Sequence, residues 1–204
     1  LKDADGKTQM PGNVYGNRFY QNASNQAAVV ISNVVSAAVV SREISGCVWV
    51  DADRDGVRQE TEVLYEGAEV RLYRTEPSGF DLDAKPAIVI DDVPYYPAYT
   101  VFGEELAPIA TDANGIWSFS YLEGGSYVAL VGDVDAYYLT QDRVGEDPTV
   151  DSDAVTEGSH YIISGIELPL LENMVDTRFS STYWDTGLVH HTKVALAKTD
   201  AAGK

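Results

Sequence analysis

Apolar and polar residues alternate along this chain in short stretches, and no segment sustains the 3.6-residue spacing of an amphipathic helix. Runs rich in Val, Ile, Thr and Tyr are separated by Gly, Asp and Asn, the pattern of strands joined by turns. They fall at 29–31, 34–40, 46–50, 69–73, 87–90, 98–102, 117–121, 126–131, 161–167 and 186–189. With no helical pattern between them, they predict an all-β sandwich rather than alternating βαβ units. A chain of 204 residues has room for one full core with appendages, not for two large domains.

Three divisions are expected. Residues 1–42 carry their own turn signals, Asp5-Gly6 and Pro11-Gly12-Asn13, and two or three strands, too few to close a core. They read as the terminal strands of a preceding module. Residues 43–189 hold the main sandwich. Within it, residues 74–110 place Pro77, Pro86, Pro94 and Pro97 among apolar and tyrosine positions. Proline confines strands to sheet edges, so an inserted hairpin projecting from the sandwich is expected. Its Tyr95, Tyr96 and Tyr99 read either as a contact surface, because tyrosine offers large area at low entropic cost, or as a small core under the insertion. Residues 190–204 end in small and polar residues and read as a linker or the first strand of a following module. A weak echo between Leu1–Lys7 and Ala197–Lys204 agrees with modules in series.

Charge narrows the function classes. Thirty-two acidic residues against 14 basic ones give a net charge of −18, which repels phosphate backbones and excludes nucleic acid as a partner. The same surplus suits an extracellular protein that meets divalent cations. The longest apolar stretch, 26–40, is broken by Ser32, Asn33 and Ser36 and is too short to span a bilayer, so no membrane insertion is expected. Neither a cleavable leader nor a sorting tail is legible, and the chain reads as an internal piece of a longer one. A single cysteine, Cys47, rules out an internal disulfide and lies in the apolar run Ile44–Val50 as a half-buried strand thiol. His160, His190 and His191 lack a metal-ligand spacing, and neither a nucleophile elbow nor a phosphate loop occurs, so no enzymatic activity is expected.

Chemistry concentrates in one loop. From Asp51 to Glu62 the sequence Asp-Ala-Asp-Arg-Asp-Gly-Val-Arg-Gln-Glu-Thr-Glu satisfies the twelve-position calcium-loop pattern. Asp51, Asp53 and Asp55 take positions 1, 3 and 5, Gly56 allows the sharp turn at 6, Val57 offers a carbonyl at 7, and Glu62 closes position 12. Gln59 would act through a water. The strand-like Cys47–Val50 before the loop excludes the usual helical frame. Calcium suits the site better than magnesium, which keeps its waters. A second acidic group, Asp151 and Asp153 with Asp185, reads either as oxygens for another cation or as ordinary turn residues.

Taken together, Ile44-Ser45-Gly46-Cys47-Val48-Trp49, the acidic loop, and Gly67-Ala68-Glu69-Val70-Arg71-Leu72-Tyr73 resemble the opening of the B-type repeat domains of serine-aspartate repeat surface proteins, within the collagen-adhesin B-type superfamily. Thr111–Phe119 with Leu122, Gly125 and Tyr127 resembles the family's middle hairpin. Asp151–Asp153 and Asp185–Val189 resemble its closing strands. The resemblance implies a prealbumin-like, Greek-key sandwich, calcium on Asp51, Asp53, Asp55, Val57 and Glu62, and a stalk or spacer on a Gram-positive cell wall whose partners are neighbouring modules of the same chain. Two departures stand out. The insertion at 74–110 is longer than the family's connection, which leaves room for a binding role toward a host extracellular protein or glycan. The first strand also lacks the lysine that related domains use in an isopeptide cross-link, while Lys198 resembles the reactive lysine of a following module.

Overall fold

The computed structural model describes residues 14–17, 20–21, 30–31, 35–38, 40–132, 134–174 and 176–191, with side chains from residue 40 onward. Lys198 and the two-ended echo therefore lie outside the described residues. Four short strands come first: β1 (Val14–Asn17), β2 (Tyr20–Gln21), β3 (Val30–Ile31) and β4 (Val35–Ala38). β1 pairs antiparallel with β4, and β2 with β3.

The sandwich follows. Its strands are β5 (Ser41–Val50), β6 (Val63–Leu64), β7 (Glu69–Arg74), β8 (Ile88–Ile90), β9 (Val93–Pro97), β10 (Ile109–Ala110) and β11 (Ile116–Ser120). They continue as β12 (Gly125–Gly132), β13 (Tyr137–Leu139), β14 (Val155–Glu157), β15 (His160–Leu168), β16 (Arg178–Ser181) and β17 (Thr186–His190). One sheet runs β14-β15-β12-β7-β9-β8, with β10 also on β7. The other runs β11-β5-β17-β13, with β6 and β16 also on β5. The chain is thus an all-β sandwich in which the first and last long strands, β5 and β17, lie side by side and parallel. That return of the last strand beside the first agrees with the Greek-key sandwich that the resemblance implies.

Alternation along the strands explains the core. Ile44 and Val48 of β5, Trp117 and Phe119 of β11 and Leu188 of β17 face Val70 and Leu72 of β7, Tyr127, Ala129 and Val131 of β12, and Ile163 and Ile166 of β15. Each fully buried large side chain contributes roughly 1.5–3 kcal/mol of transfer free energy. Arg42 shares the inward row of β5, which sequence pattern gave no reason to expect. Its guanidinium donates to the carbonyls of Pro169 at 2.6 Å and Leu122 at 3.2 Å. Nearby, Arg74 Nη1 donates to Tyr127 Oη at 2.9 Å, and that hydroxyl donates to the Glu123 carbonyl at 3.0 Å. Burial pushes the Tyr127 hydroxyl up to about 12, so it stays a donor.

Gly46 marks an interruption in the ladder. β5 pairs with β16 over Ser41–Ile44 and with β17 over Val48–Val50, and the connection crosses β5 between the two. Trp184 N donates to Ser45 O at 3.2 Å there, and Asp185 Oδ1 accepts the Cys47 N–H at 2.7 Å in place of a strand carbonyl.

The insertion does not project. β8 and β9 form a two-residue hairpin whose tip, Asp91 and Asp92, has φ of 47° and 65°, the geometry of a type I′ turn built without glycine. β9 then pairs with β7 at Tyr73 and Arg74, extending the sheet. Ile90 and Tyr95 bury themselves with Val128, Leu130 and Ile162 in a second core on the sheet's outer face, joined by Ile88 from one edge and Val155 from the other. The sheet therefore curls over itself, and a Cβ added at Gly158 would sit 3.4 Å from Asp91 Oδ1 across the gap. A bulge in β15 helps: the β12–β15 register shifts between Tyr127 and Ala129, opposite Gly165 at φ 81°. Residues 98–102, expected as a strand, make only isolated bridges at Tyr99 and Thr100, because the turn at Gly103 folds them back through Thr100 N to Glu104 O at 2.8 Å.

Candidate metal centre

The loop after β5 curls because its carboxylates organise their own backbone. Asp51, only 2 % exposed, accepts the N–H groups of Arg54 at 2.6 Å and Gly56 at 2.9 Å, and also the hydroxyl of Thr140. Asp55 accepts from Val57 N and Gln59 Nε2, each at 2.8 Å. Arg54 and Gly56 both sit in the left-handed region, at 65° and 81°. Gly56 is doubly constrained, since a Cβ there would meet Val144 Cγ2 at 2.6 Å.

These turns bring Asp51, Asp53 and Asp55 together, with one carboxylate oxygen from each within 4.8 Å of the others. Among the described residues this is the group that gathers three such ligands. Glu62 stands apart from it. Its Oε1 accepts the Ala52 N–H at 2.8 Å and its Oε2 the Gln59 N–H at 3.1 Å, so it ties the loop's ends together. Val57 forms a bridge with Asp151, and Arg58 N donates to Val150 O at 2.7 Å. The three gathered oxygens are hard, anionic donors, and they fit a hard divalent cation better than a thiolate- or imidazole-seeking metal.

Asp151, Asp153 and Asp185 do not converge in the same way. Asp185 is buried, and its Oδ2 meets Arg58 Nη2 at 3.4 Å while Oδ1 holds Cys47 N. Asp153 Oδ2 accepts Asp185 N at 3.0 Å, and Asp153 N donates to Asp185 O at 2.8 Å. Asp151 is buried with Oδ1 unpartnered, and burial raises its carboxyl above the usual range. This second cluster acts as a staple between β5 and the closing strands. Burial pushes the carboxyls of Asp153 and Asp185 up to about 6.

A pH dependence follows. In the unfolded chain these groups titrate near 3.8, so between about pH 4 and 6 the folded state binds more protons. Their contribution to stability is greatest below that window and falls as pH rises through it. In chelated buffer, the melting temperature of Asp153→Asn minus that of the wild type is expected to rise from pH 4 to 6 and then level off. A flat difference would contradict the buried pair.

Of the tyrosines read either as a contact surface or as a small core, Tyr95 is turned into the second core at 6 % exposure, and Tyr96 and Tyr99 are half-buried. Cys47 is buried, and burial followed by the Asp185 charge lifts its thiol to about 11, far from a nucleophile's range. Sequence reasoning missed Thr140, whose hydroxyl caps Asp51 from a distant loop, and Arg58, which links the two acidic clusters.

No family model matches the chain. A serine-aspartate repeat-containing protein F from Staphylococcus epidermidis is 27 % identical over 156 residues, covering 76 % of this chain and 6 % of that relative. A second protein of that name, from Staphylococcus epidermidis strain ATCC 12228 / FDA PCI 1200, is 27 % identical over 109 residues, or 53 % of this chain and 5 % of the relative. The resemblance to a B-type repeat domain of serine-aspartate repeat surface proteins therefore stands. The chain spans only a small part of the length of these relatives. Among solved structures, the major pilin subunit BcpA of Bacillus cereus aligns at 14 % identity and TM-score 0.42, covering 88 % of this chain and 40 % of the pilin. Shaft pilin SpaA of Lactobacillus rhamnosus GG aligns at 14 % identity and TM-score 0.35, covering 94 % of this chain and 69 % of the pilin. At those scores the superpositions carry no argument, and the fold rests on the sheets described above.

Proposed function

We propose that this segment is a structural spacer in a cell-wall-attached surface protein of the adhesin or pilus type, stiffened by calcium at the loop after β5. One observation carries the reading. β5 and β17 are adjacent and parallel, so tension applied to the start of one and the end of the other loads their ladder in shear. In shear, several hydrogen bonds must fail together rather than one after another. The loop lies at the end of that ladder, where Asp51 N donates to Leu188 O at 2.8 Å. Asp51, Asp53 and Asp55 would hold the ion, and Glu62 would have to turn from the Ala52 and Gln59 N–H groups to complete the expected set with the Val57 carbonyl. A bound divalent cation supplies positive charge that relieves carboxylate repulsion and fixes the loop against the closing strands. The similarity to serine-aspartate repeat proteins supports an extracellular, cell-surface setting with neighbouring modules as partners, and a structural rather than catalytic role.

Forced unfolding tests this directly, because it reports the rate at which the tensioned fold gives way. Pulled by its two ends in an atomic force microscope, the chain is expected to unfold at higher force in millimolar calcium than in chelator. Equal forces in the two buffers would sink the stiffening role.

A further inference from the structure

The curled sheet creates a second feature that the spacer role does not use. A groove of about 730 Å³ opens beside the second core, lined by Tyr73, Ile88 and Leu130 from the outer face and by Val131, Val134, Tyr137 and Tyr161 from the main core. That volume lies within the range of small-ligand sites. Its lining is apolar at Ile88 and Leu130 and aromatic at Tyr73, Tyr137, Tyr138 and Tyr161. The walls are pre-organised: Tyr161 Oη donates to Tyr137 O at 3.1 Å, and Tyr137 packs edge-on to Tyr65 with centroids 5.3 Å apart. At the mouth, the Tyr138 and His191 rings stack at 3.4 Å and 4°, and Tyr138 is 57 % exposed.

Polar groups converge on the same space. The exposed hydroxyl residues Thr156 and Ser159 line it, and so does the Glu69–Arg71 pair at 2.6 Å. His160 and Asp135 also line it. Arg71 is already neutralised by Glu69 in a chain of net charge −18, which disfavours an anionic ligand. A purely apolar ligand would leave Asp135, Thr156, Ser159 and the Glu69–Arg71 pair unanswered.

We infer that this groove binds a neutral oligosaccharide, the apolar faces of its rings resting on the tyrosines and its hydroxyls meeting Asp135, Thr156, Ser159 and the Glu69–Arg71 pair. The site is separate from the acidic loop and does not depend on calcium there. It also differs from the hairpin tyrosines first considered for glycan contact.

Saturation-transfer NMR on the full chain, with maltose, cellobiose, lactose and diacetylchitobiose as probes and sialyllactose as an anionic comparison, tests the inference. At least one neutral sugar is expected to receive saturation, and more strongly than sialyllactose. Tyr138→Ala and, separately, the exposed Arg71→Ala are expected to abolish the signal, while Tyr183→Ala, exposed and outside the groove, is expected to keep it. Absence of transfer to every neutral probe would overturn the inference, as would transfer unchanged in both groove variants or a response confined to sialyllactose. Covering of the groove by the chain's own residues 192–204 would appear as the first of these results.

Discussion

Calcium is expected to raise the thermal midpoint of the chelated chain by roughly 5–10 °C. A ligand present at a hundred times its dissociation constant stabilises the folded state by about 2.7 kcal/mol, and a domain of this size gains about 2–4 °C per kcal/mol. The physical source is the gathering of three carboxylate oxygens within 4.8 Å, which repel one another until a cation sits among them. The informative variant is Asp53→Ala. Asp53 is exposed, whereas Asp51 also holds Arg54, Gly56 and Thr140, so replacing Asp51 would damage the loop with or without metal. Asp53→Ala is expected to leave the chelated midpoint nearly unchanged and to remove most of the calcium increment. Identical midpoints for the wild type in millimolar calcium and in chelator would show that the loop is held by its hydrogen bonds alone.

The second large effect is expected at Gly46. An added Cβ there would lie 1.9 Å from the Trp184 carbonyl oxygen and 2.8 Å from Trp117 Cζ2. Neither neighbour yields cheaply. Trp117 is fully buried in the main core, and the Trp184 backbone is tied to Ser45 on one side and to Cys47, through Asp185, on the other. Overpacking of a closed site typically costs about 1–3 kcal/mol and occasionally more, and Gly46→Ala is placed at the upper end of that range because backbone must move. Chemical denaturation should show a loss of about 3 kcal/mol or more, set against less than about 0.5 kcal/mol for Gly132→Ala, where the nearest atom to a new Cβ is 3.9 Å away. A Gly46→Ala protein as stable as the wild type would mean that the crossing chain does not press on β5.

Much of this was legible in the sequence, for identifiable reasons. β7 and β11 alternate because one face of each meets the core, and β5, β12 and β15 show as short apolar runs because they lie inside the sheets, so these strands survive in the residue pattern. The loop from Asp51 was legible because its spacing is local, and the structure gathers Asp51, Asp53 and Asp55. What escaped depends on contacts remote in the chain. The hairpin tip at Asp91-Asp92 lacks the glycine or asparagine that announces a type I′ turn, and nothing nearby reveals that Tyr95 will be covered by Val128 and Ile162. Nothing near Arg42 in the chain shows that Pro169 and Leu122 will supply its acceptors. The groove's tyrosines and histidines come from four separate stretches and meet only through strand pairing.

The curl of the larger sheet has a consequence for proteins built from many similar units in a row. Its outermost strands, β14 and β8, are three residues each, and the acidic tip at Asp91 leans toward Gly158 at the other border. Short, charged borders offer little template for an incoming strand, so identical neighbours held at high local concentration are discouraged from knitting into a shared sheet. On the proposed spacer reading, a unit that has been stretched is then left to refold by itself.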